Sequence, residues 1–315
     1  MDLDNQRRSG NIEDRRGMRG PRGGGRGGGM PVRSGGLGIM GLIVIGLIML
    51  FFPQAGGLLG PLVQGGGISL PGAGGGAAPT EAGRAGCAQG DQTCDFVAAV
   101  LGSTEDVWAP IFQQGALPAY GQAPGQYVQP TLVLFDQSAV ATGGCGDVPD
   151  AAGPFYCPGD QKLYINPGFW TTLAQRLNSP GDFAQAYVVA HEVGHHIQNV
   201  LGVTRFREEA AMRGGERAAN QASVRMELQA DCFAGVWANK ANSGGQLEQG
   251  DLDEALNAAH NIGDDTLQQQ GQGYTRPETY THGTSDQRRR WFQRGYQAGD
   301  ARQCDTFAVR DFNQL

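Results

Sequence analysis

The 315-residue sequence has no C-x-x-C pair, which argues against a cysteine zinc site or a thioredoxin-like redox centre. Bulky side chains are scarce in the first ninety residues, where many of the 52 glycines lie. A segment of that composition has little apolar surface to bury and a high entropic cost of ordering. We therefore expect the compact domain to cover residues 87–315, which is long enough for one sizeable core.

Basic residues are in deficit after residue 36, where 16 lysines and arginines face 27 aspartates and glutamates. An acidic domain is a poor candidate for binding nucleic acid, because that affinity depends on neutralising phosphates. Residues 1–36 have the opposite balance, with eight arginines, four acidic residues and many glycines. They predict a disordered basic arm in the cytoplasm, for which weak contact with RNA or DNA is the lesser alternative.

Charged and strongly polar residues are absent from residues 37–52, LGIMGLIVIGLIMLFF. This run is slightly shorter than the roughly 17–25 residues of a spanning helix, but uncharged flanks can extend it. The arginines before it predict a single-pass anchor in the inner (plasma) membrane, with a cytoplasmic N-terminus and a periplasmic or extracellular domain. A cleaved signal peptide is the alternative, although no clear small-x-small cleavage site follows. Residues 53–86 are rich in glycine and predict a flexible linker.

The six cysteines all follow the apolar run, and their even number fits disulfides in an oxidising compartment. Fifteen pairings are possible in principle. Short spacing favours Cys87 with Cys94 and Cys145 with Cys157, which leaves Cys232 for Cys304.

The pattern of apolar residues predicts an α+β domain that is mainly helical and has a small sheet. Short strands are predicted at residues 128–135 and 161–165, and helical pieces between residues 94 and 114. A well-marked helix has Ser179 as its expected N-cap, Pro180 in its first turn and Gly202 at its end. Further helices are predicted at residues 216–240, 252–269 and 285–298.

The stretch VVAHEVGHHIQN, residues 188–199, carries His191 and His195 four positions apart on one helix face. Their imidazoles can converge on one ion, and Glu192 between them can reach a water on that ion. This is the H-E-x-x-H arrangement of zinc hydrolases. Apolar neighbours predict that the helix is buried, where unpartnered polar groups would be costly. His196 points about 100° away from the pair and is expected to be structural.

A catalytic zinc site needs a third protein ligand and an open position for water. The positions at which some zinc proteases place a third histidine are occupied here by Gln198 and Leu201. The better candidate is Glu227 in RMELQADCFAG, followed four positions later by Asp231, which would accept a ligand histidine's ring N–H. Ordinary surface ion pairs are the alternative interpretation, and the other ligand candidates are Glu208, Glu216 and His260.

Four separated stretches resemble the putative neutral zinc metallopeptidase family of bacterial membrane-anchored proteins: GDFAQAYVVAHEVGHHIQNVLG, ELQADCFAGVWA, LEQGDLDEALNAAHNIGDD and THGTSDQRRRWFQRGY. The resemblance runs from about residue 90 to 310. It implies a zincin-like fold and a zinc-dependent peptidase, with His191, Glu192 and His195 carried over directly. Glu227 is similar to the third ligand of the wider group that uses a glutamate there.

The expected function is peptide-bond hydrolysis by a zinc-activated water, with Zn²⁺ as cofactor and a peptide or protein as substrate. Glu192 would be the general base, and His282 the preferred donor to the oxyanion, with Tyr280 and Tyr274 as rivals. The strand KLYIN, residues 162–166, could offer an edge to an extended peptide. The alternatives are a degenerate or zinc-stabilised zincin domain that acts as a binding scaffold in the cell envelope, and a non-peptidase zinc amidase.

Overall fold

A computed structural model describes residues 1–18, 83–120, 126–136, 141–148 and 153–315. These residues form the predicted α+β architecture, with seven α-helices beside a small sheet. The predicted anchor, residues 37–52, and most of the predicted linker lie outside the described residues. None of the described helices is both long and apolar enough to cross a membrane.

The helices follow one another along the chain with only short connections. They are α1 Gln92–Gln113, α2 Phe169–Gln175, α3 Asp182–Val200, α4 Arg205–Ser243, α5 Asp251–Asn261, α6 Asp264–Gln272 and α7 Ser285–Ala298. Short 3₁₀ turns cover Pro277–Thr279, Ala301–Cys304 and Phe312–Gln314. The strands are β1 Ile12–Asp14, β2 Arg84–Ala85, β3 Thr131–Leu134, β4 Ala141–Gly143, β5 Gly146–Val148, β6 Phe155–Cys157 and β7 Lys162–Ile165.

Five strands form the main sheet in the order β2-β1-β3-β7-β6, and β4 pairs with β5 separately. Strands β1, β3 and β7 run parallel, whereas β2 and β6 are antiparallel to their neighbours. The predicted strand at residues 162–166 is therefore an interior strand, paired on one side with β3 and on the other with β6. The expectation that it offers an edge to a peptide is wrong, because β6 covers it.

Residues 1–18 belong to the folded domain, which corrects the prediction of a disordered arm over this part of residues 1–36. Strand β1 lies between β2 and β3, with Ile12 opposite Leu132. Arginines of the segment pair with acidic residues of α1: Arg7 with Glu105 at 2.8 Å, and Arg8 with Asp95 at 2.6 Å. Part of the basic charge that suggested an arm, that of Arg7 and Arg8, is thus paired with acidic residues of the domain.

The position of β1 bears directly on the predicted membrane topology. Residues 1–18 contact the domain, so both parts lie on the same side of any membrane in this arrangement. A single pass by residues 37–52 would place them on opposite sides. This packing does not fit a cytoplasmic N-terminus joined by one pass to an exported domain, and the membrane topology stays a prediction.

The ends and breaks of the helices depend on glycines more than on side-chain caps. Helix α3 begins after Gly181, which has φ 116°, whereas the expected cap Ser179 donates its hydroxyl to the carbonyl of Leu177. Gly202 has φ 70° just beyond the C-terminus of α3, as predicted. The helix predicted at residues 216–240 extends to Arg205–Ser243 and is broken at Gly215, with φ 67° and ψ −157°.

Small residues bring the central helices close together. A Cβ atom on Gly194 of α3 would lie 3.0 Å from the backbone of Ala230 on α4. A Cβ atom on Gly235 of α4 would clash with the carbonyl of Phe292 on α7, and one on Gly295 with the carbonyl of Cys232. Only glycine permits such close backbone approach, so these positions fix the distances between the three helices.

All three disulfide pairings predicted from sequence spacing are confirmed: Cys87 with Cys94, Cys145 with Cys157, and Cys232 with Cys304. The third bond joins α4 to the Ala301–Cys304 turn across 72 residues of sequence. A loop of that length gives a large reduction in the entropy of the unfolded chain.

The Ile12→Asp substitution tests whether residues 1–18 are part of the domain. Ile12 is only 3% exposed, so we expect the buried charge to lower the free energy of unfolding by about 3 kcal/mol. The control is Asn5→Asp, which introduces the same charge at an exposed position and should change stability by less than about 0.5 kcal/mol. Equal stability of the two variants in urea denaturation would contradict the packing of β1.

Candidate metal centre

His191 and His195 lie one turn apart on α3, with ring centroids separated by 4.7 Å and ring planes at 90°. Helix α3 is buried on nearly every side, and the His191 residue is 6% exposed. The Nε2 atoms of both rings are directed to one carboxylate, that of Glu227. The helical four-residue spacing therefore produces the convergence that the sequence predicts.

Glu227 lies on α4 and is the third potential metal ligand beside the two histidines. Its Oε2 lies 3.2 Å from Nε2 of His191, and its Oε1 lies 3.5 Å from Nε2 of His195. The three potential ligand atoms lie within 4.8 Å of one another, so they could hold one metal ion. Two imidazole nitrogens and one carboxylate oxygen are a donor set that suits catalytic zinc. Among the described residues, no such group around His191 includes the other candidates Glu208, Glu216 or His260.

Asp231 holds the outer side of His191, as the sequence predicts for a residue one turn after Glu227. Its Oδ1 lies 2.8 Å from Nδ1 of His191 and accepts a 2.5 Å hydrogen bond from the Tyr187 hydroxyl. Arg288 of α7 donates to both carboxylate oxygens at 2.9 Å. Burial raises the pKa of Asp231, but the charges of Arg288 and His191 outweigh it and leave that pKa below its ordinary value. An ionised Asp231 makes Nδ1 of His191 the protonated nitrogen, which leaves Nε2 for a metal.

Gln198 plays the equivalent part for His195, a role that sequence reasoning missed. Its Oε1 lies 2.9 Å from Nδ1 of His195, while its Nε2 donates to the Met226 carbonyl at 2.6 Å and to Oε1 of Gln229 at 3.2 Å. Because both acceptors face its nitrogen, the amide must present its oxygen to His195. Gln229 is held in turn by Tyr120 and the Cys304 carbonyl.

Glu192 is almost fully buried beside the two histidines and makes no hydrogen bond to any residue that the structure describes. Burial raises the pKa of its carboxyl group, against the opposing charges of His195 and His191. A carboxylate with a raised pKa is suited to accept a proton and pass it on.

His282 lies on the loop before α7, and the aspartate that positions it was not predicted. Asp264, the first residue of α6, accepts hydrogen bonds from three successive backbone N–H groups, residues 281–283, and lies 3.0 Å from Nδ1 of His282. Burial lowers the pKa of His282, but Asp264 and Glu227 together raise it above its ordinary value. Of the rival donors, Tyr280 is buried and Tyr274 is exposed.

His196 has a structural environment, as its direction on the helix predicts. Its Nε2 lies 2.6 Å from the Val128 carbonyl, and its Nδ1 lies 3.1 Å from the Tyr156 hydroxyl. Burial lowers its pKa to about 4, so the ring is neutral at physiological pH. His196 therefore ties α3 to β6 and to the segment that precedes β3.

Gln198→Leu tests the role of the second histidine's partner. Removing the acceptor for Nδ1 frees the His195 ring to change tautomer, so we expect about 10- to 100-fold weaker zinc binding. Gln185→Leu makes the same change on the same helix, at a half-buried position far from the histidines, and serves as the control. Competition with a chelator measures both affinities. Equal affinities would show that Gln198 does not orient a ligand.

Metal binding should release protons from the site. Burial lowers the pKa of His191, but Asp231 and Glu227 raise it to about 9 in the metal-free protein. A proton bound below that value must leave when the metal binds, so the apparent affinity should rise from pH 7 to pH 9. Calorimetry in two buffers of different ionisation enthalpy should detect about one proton released per ion at pH 7. If no proton is released on metal binding, the assignment of His191 as a metal ligand is wrong.

The chain is similar to known proteins over most of its length. The chain is 41% identical to the uncharacterized protein YpfJ of Escherichia coli over 303 residues, which is 96% of this chain and 97% of that protein. It is 43% identical to the uncharacterized protein Rv2575 of Mycobacterium tuberculosis over 226 residues, 68% of this chain and 71% of that protein. No solved structure matches. The family model described as putative neutral zinc metallopeptidase matches residues 1–307, and the chain belongs to that family.

Proposed function

We propose that this protein is a zinc-dependent peptidase that hydrolyses peptide bonds with Glu192 as general base. The observation that carries the proposal is the orientation of the two histidines. Each ring has its Nδ1 held by a separate acceptor, Asp231 or Gln198, and each directs its Nε2 to Glu227. This arrangement supports His191, His195 and Glu227 as metal ligands, in a zincin-like domain.

The side chains around the ligands have complementary roles in the proposed reaction. When bound, zinc supplies the positive charge that acidifies water and polarises a carbonyl group. Glu192 takes a proton from the attacking water and delivers it to the leaving amine. His282, held by Asp264, donates a hydrogen bond to the oxygen on which negative charge develops. Strand β6, at one side of the described sheet and next to α3, offers an extended peptide an edge to pair with.

The buried Glu192 favours catalysis over a scaffold function. A structural zinc site needs its ligands and their partners, but it has no need of a further carboxylate without a hydrogen bond. Burying a carboxylate without a hydrogen bond destabilises the folded protein, so a functional role is the better explanation for Glu192. The same geometry would also serve an amidase that acts on cell-wall peptides. The peptidase and the amidase are therefore distinguished by the substrate that the protein hydrolyses.

We propose that the domain works outside the cytoplasm in association with a membrane. The three disulfides support an oxidising compartment, and the apolar residues 37–52 support membrane association. Any such arrangement has to keep residues 1–18 with the domain.

Glu192→Gln should abolish hydrolysis while the protein keeps its zinc. The amide occupies the same space but cannot accept the proton, so we expect kcat to fall by about 10²-fold or more. Glu227→Ala should lower the zinc content itself, because it removes a ligand. Glu216→Gln, on an exposed part of α4, is the control and should change neither property.

Peptide-library digestion measures hydrolysis, and elemental analysis measures the zinc content of the same preparations. Chelator treatment of the unchanged protein should stop digestion, and added zinc should restore it. Full peptidase activity in Glu192→Gln would refute the role of this base. Unchanged zinc stoichiometry in Glu227→Ala would refute the ligand assignment.

A further inference from the structure

Arg207 is a half-buried cation whose Nε has no acceptor among the residues that the structure describes. It lies in the first turn of α4, and its Nε is buried without a hydrogen-bond partner. No carboxylate among the described residues forms an ion pair with its guanidinium. Two other arginines of α4 differ, since Arg205 donates to the Tyr120 carbonyl and Arg225 to the Thr306 carbonyl. A buried guanidinium N–H without an acceptor lowers stability, so the unpartnered Nε points to a ligand.

The break at Gly215 allows Arg207 to lie closer to the metal centre than a straight helix would. A straight helix rises about 1.5 Å per residue, so it would separate residues 207 and 227 by about 30 Å. The left-handed conformation of Gly215 turns the first part of α4 away from that line. Burial lowers the pKa of Arg207, and the carboxylate that opposes this effect most strongly is Glu227, ahead of the adjacent Glu208. The cation therefore lies within electrostatic range of a proposed zinc ligand.

Glu227 does not satisfy this cation, because its two oxygens face His191 and His195. Glu208 is exposed and points its charge into solvent. Arg288, the other arginine close to the centre, is fully engaged by Asp231. Arg207 is thus the cation near the centre that the described residues leave available to an external anion.

We propose that Arg207 binds a carboxylate of the peptide substrate, and that this peptidase prefers peptides with a carboxylate near the scissile bond. The planar guanidinium matches a carboxylate with two parallel hydrogen bonds, and partial burial strengthens the pairing. The carboxylate has two possible sources, the C-terminus of the peptide and an aspartate or glutamate side chain. This inference rests on the proposed peptidase function, which it deepens by naming a substrate class.

Matched quenched fluorescent peptides test the preference. One pair differs only in a free or amidated C-terminus, and a second pair has glutamate or glutamine beside the cleaved bond. We expect the unchanged protein to show at least about tenfold higher kcat/KM for the acidic member of one pair. Arg207→Gln should reduce that ratio to about one, and Arg207→Lys should keep part of it. Arg213→Gln, on an exposed arginine of the same helix that pairs with Glu209, should keep the full ratio.

A binding measurement separates this inference from the peptidase proposal. Calorimetry with the Glu192→Gln protein compares the acidic and neutral members of both peptide pairs, and requires no turnover. Stronger binding of the acid that depends on Arg207 supports the inference, even if no peptide is cleaved. Equal kcat/KM within both pairs, equal binding within both pairs, or a ratio that survives in Arg207→Gln would overturn it. Because the kcat/KM values of both peptide pairs are first compared on the unchanged protein, misfolding of a variant cannot hide the outcome.

Discussion

The ion pair between Asp231 and Arg288 joins three helices at one buried carboxylate. Asp231 belongs to α4, Arg288 to α7, and the residues that share the carboxylate, Tyr187 and His191, to α3. A buried carboxylate without these partners would be strongly destabilising, so the partners have to be in place when the domain is folded. The glycines between α4 and α7 allow the approach that the pair requires. One interaction therefore fixes both the packing of the helical core and the orientation of a proposed metal ligand.

The second histidine depends on neutral groups instead of charges. Gln198 and Gln229 form a chain of amides that ends at Tyr120 and at the carbonyl of Cys304. Since Cys304 is bonded to Cys232, beside Asp231 in the sequence, the partners of both histidines meet at one disulfide. The two rings are thus oriented by the protein before any metal binds. Because the ligand side chains are already ordered, metal binding does not have to supply the free energy of ordering them.

The sequence predicted the local parts of this structure well. The four-residue spacings place His191 with His195 and Glu227 with Asp231, and the last long helix has its predicted bounds at residues 285–298. Residues that act across the fold were missed, among them Gln198, Asp264 and Arg288, because no local pattern distinguishes a network residue from an ordinary polar one. Strand β1 was missed because one isoleucine among charged residues gives no strand pattern. Its charges are paired with distant partners, such as Glu13 with Lys162 at 2.7 Å. Strand β6 lies just before β7 in the sequence and pairs with it on the side where the sequence had suggested an edge.

The position of β1 between β2 and β3 also constrains the order in which the chain can fold. Its flanking Asn11 bonds to Gln129, 118 residues further along the sequence, and β3 follows immediately. Pairing between such distant segments requires a large loop to close, which slows folding. During synthesis β1 is made before β3 and stays unpaired until β3 follows. Its backbone N–H and C=O groups are then exposed to solvent or to other chains. The charged residues around Ile12 keep the unpaired β1 segment soluble, since a charged strand is a poor template for aggregation.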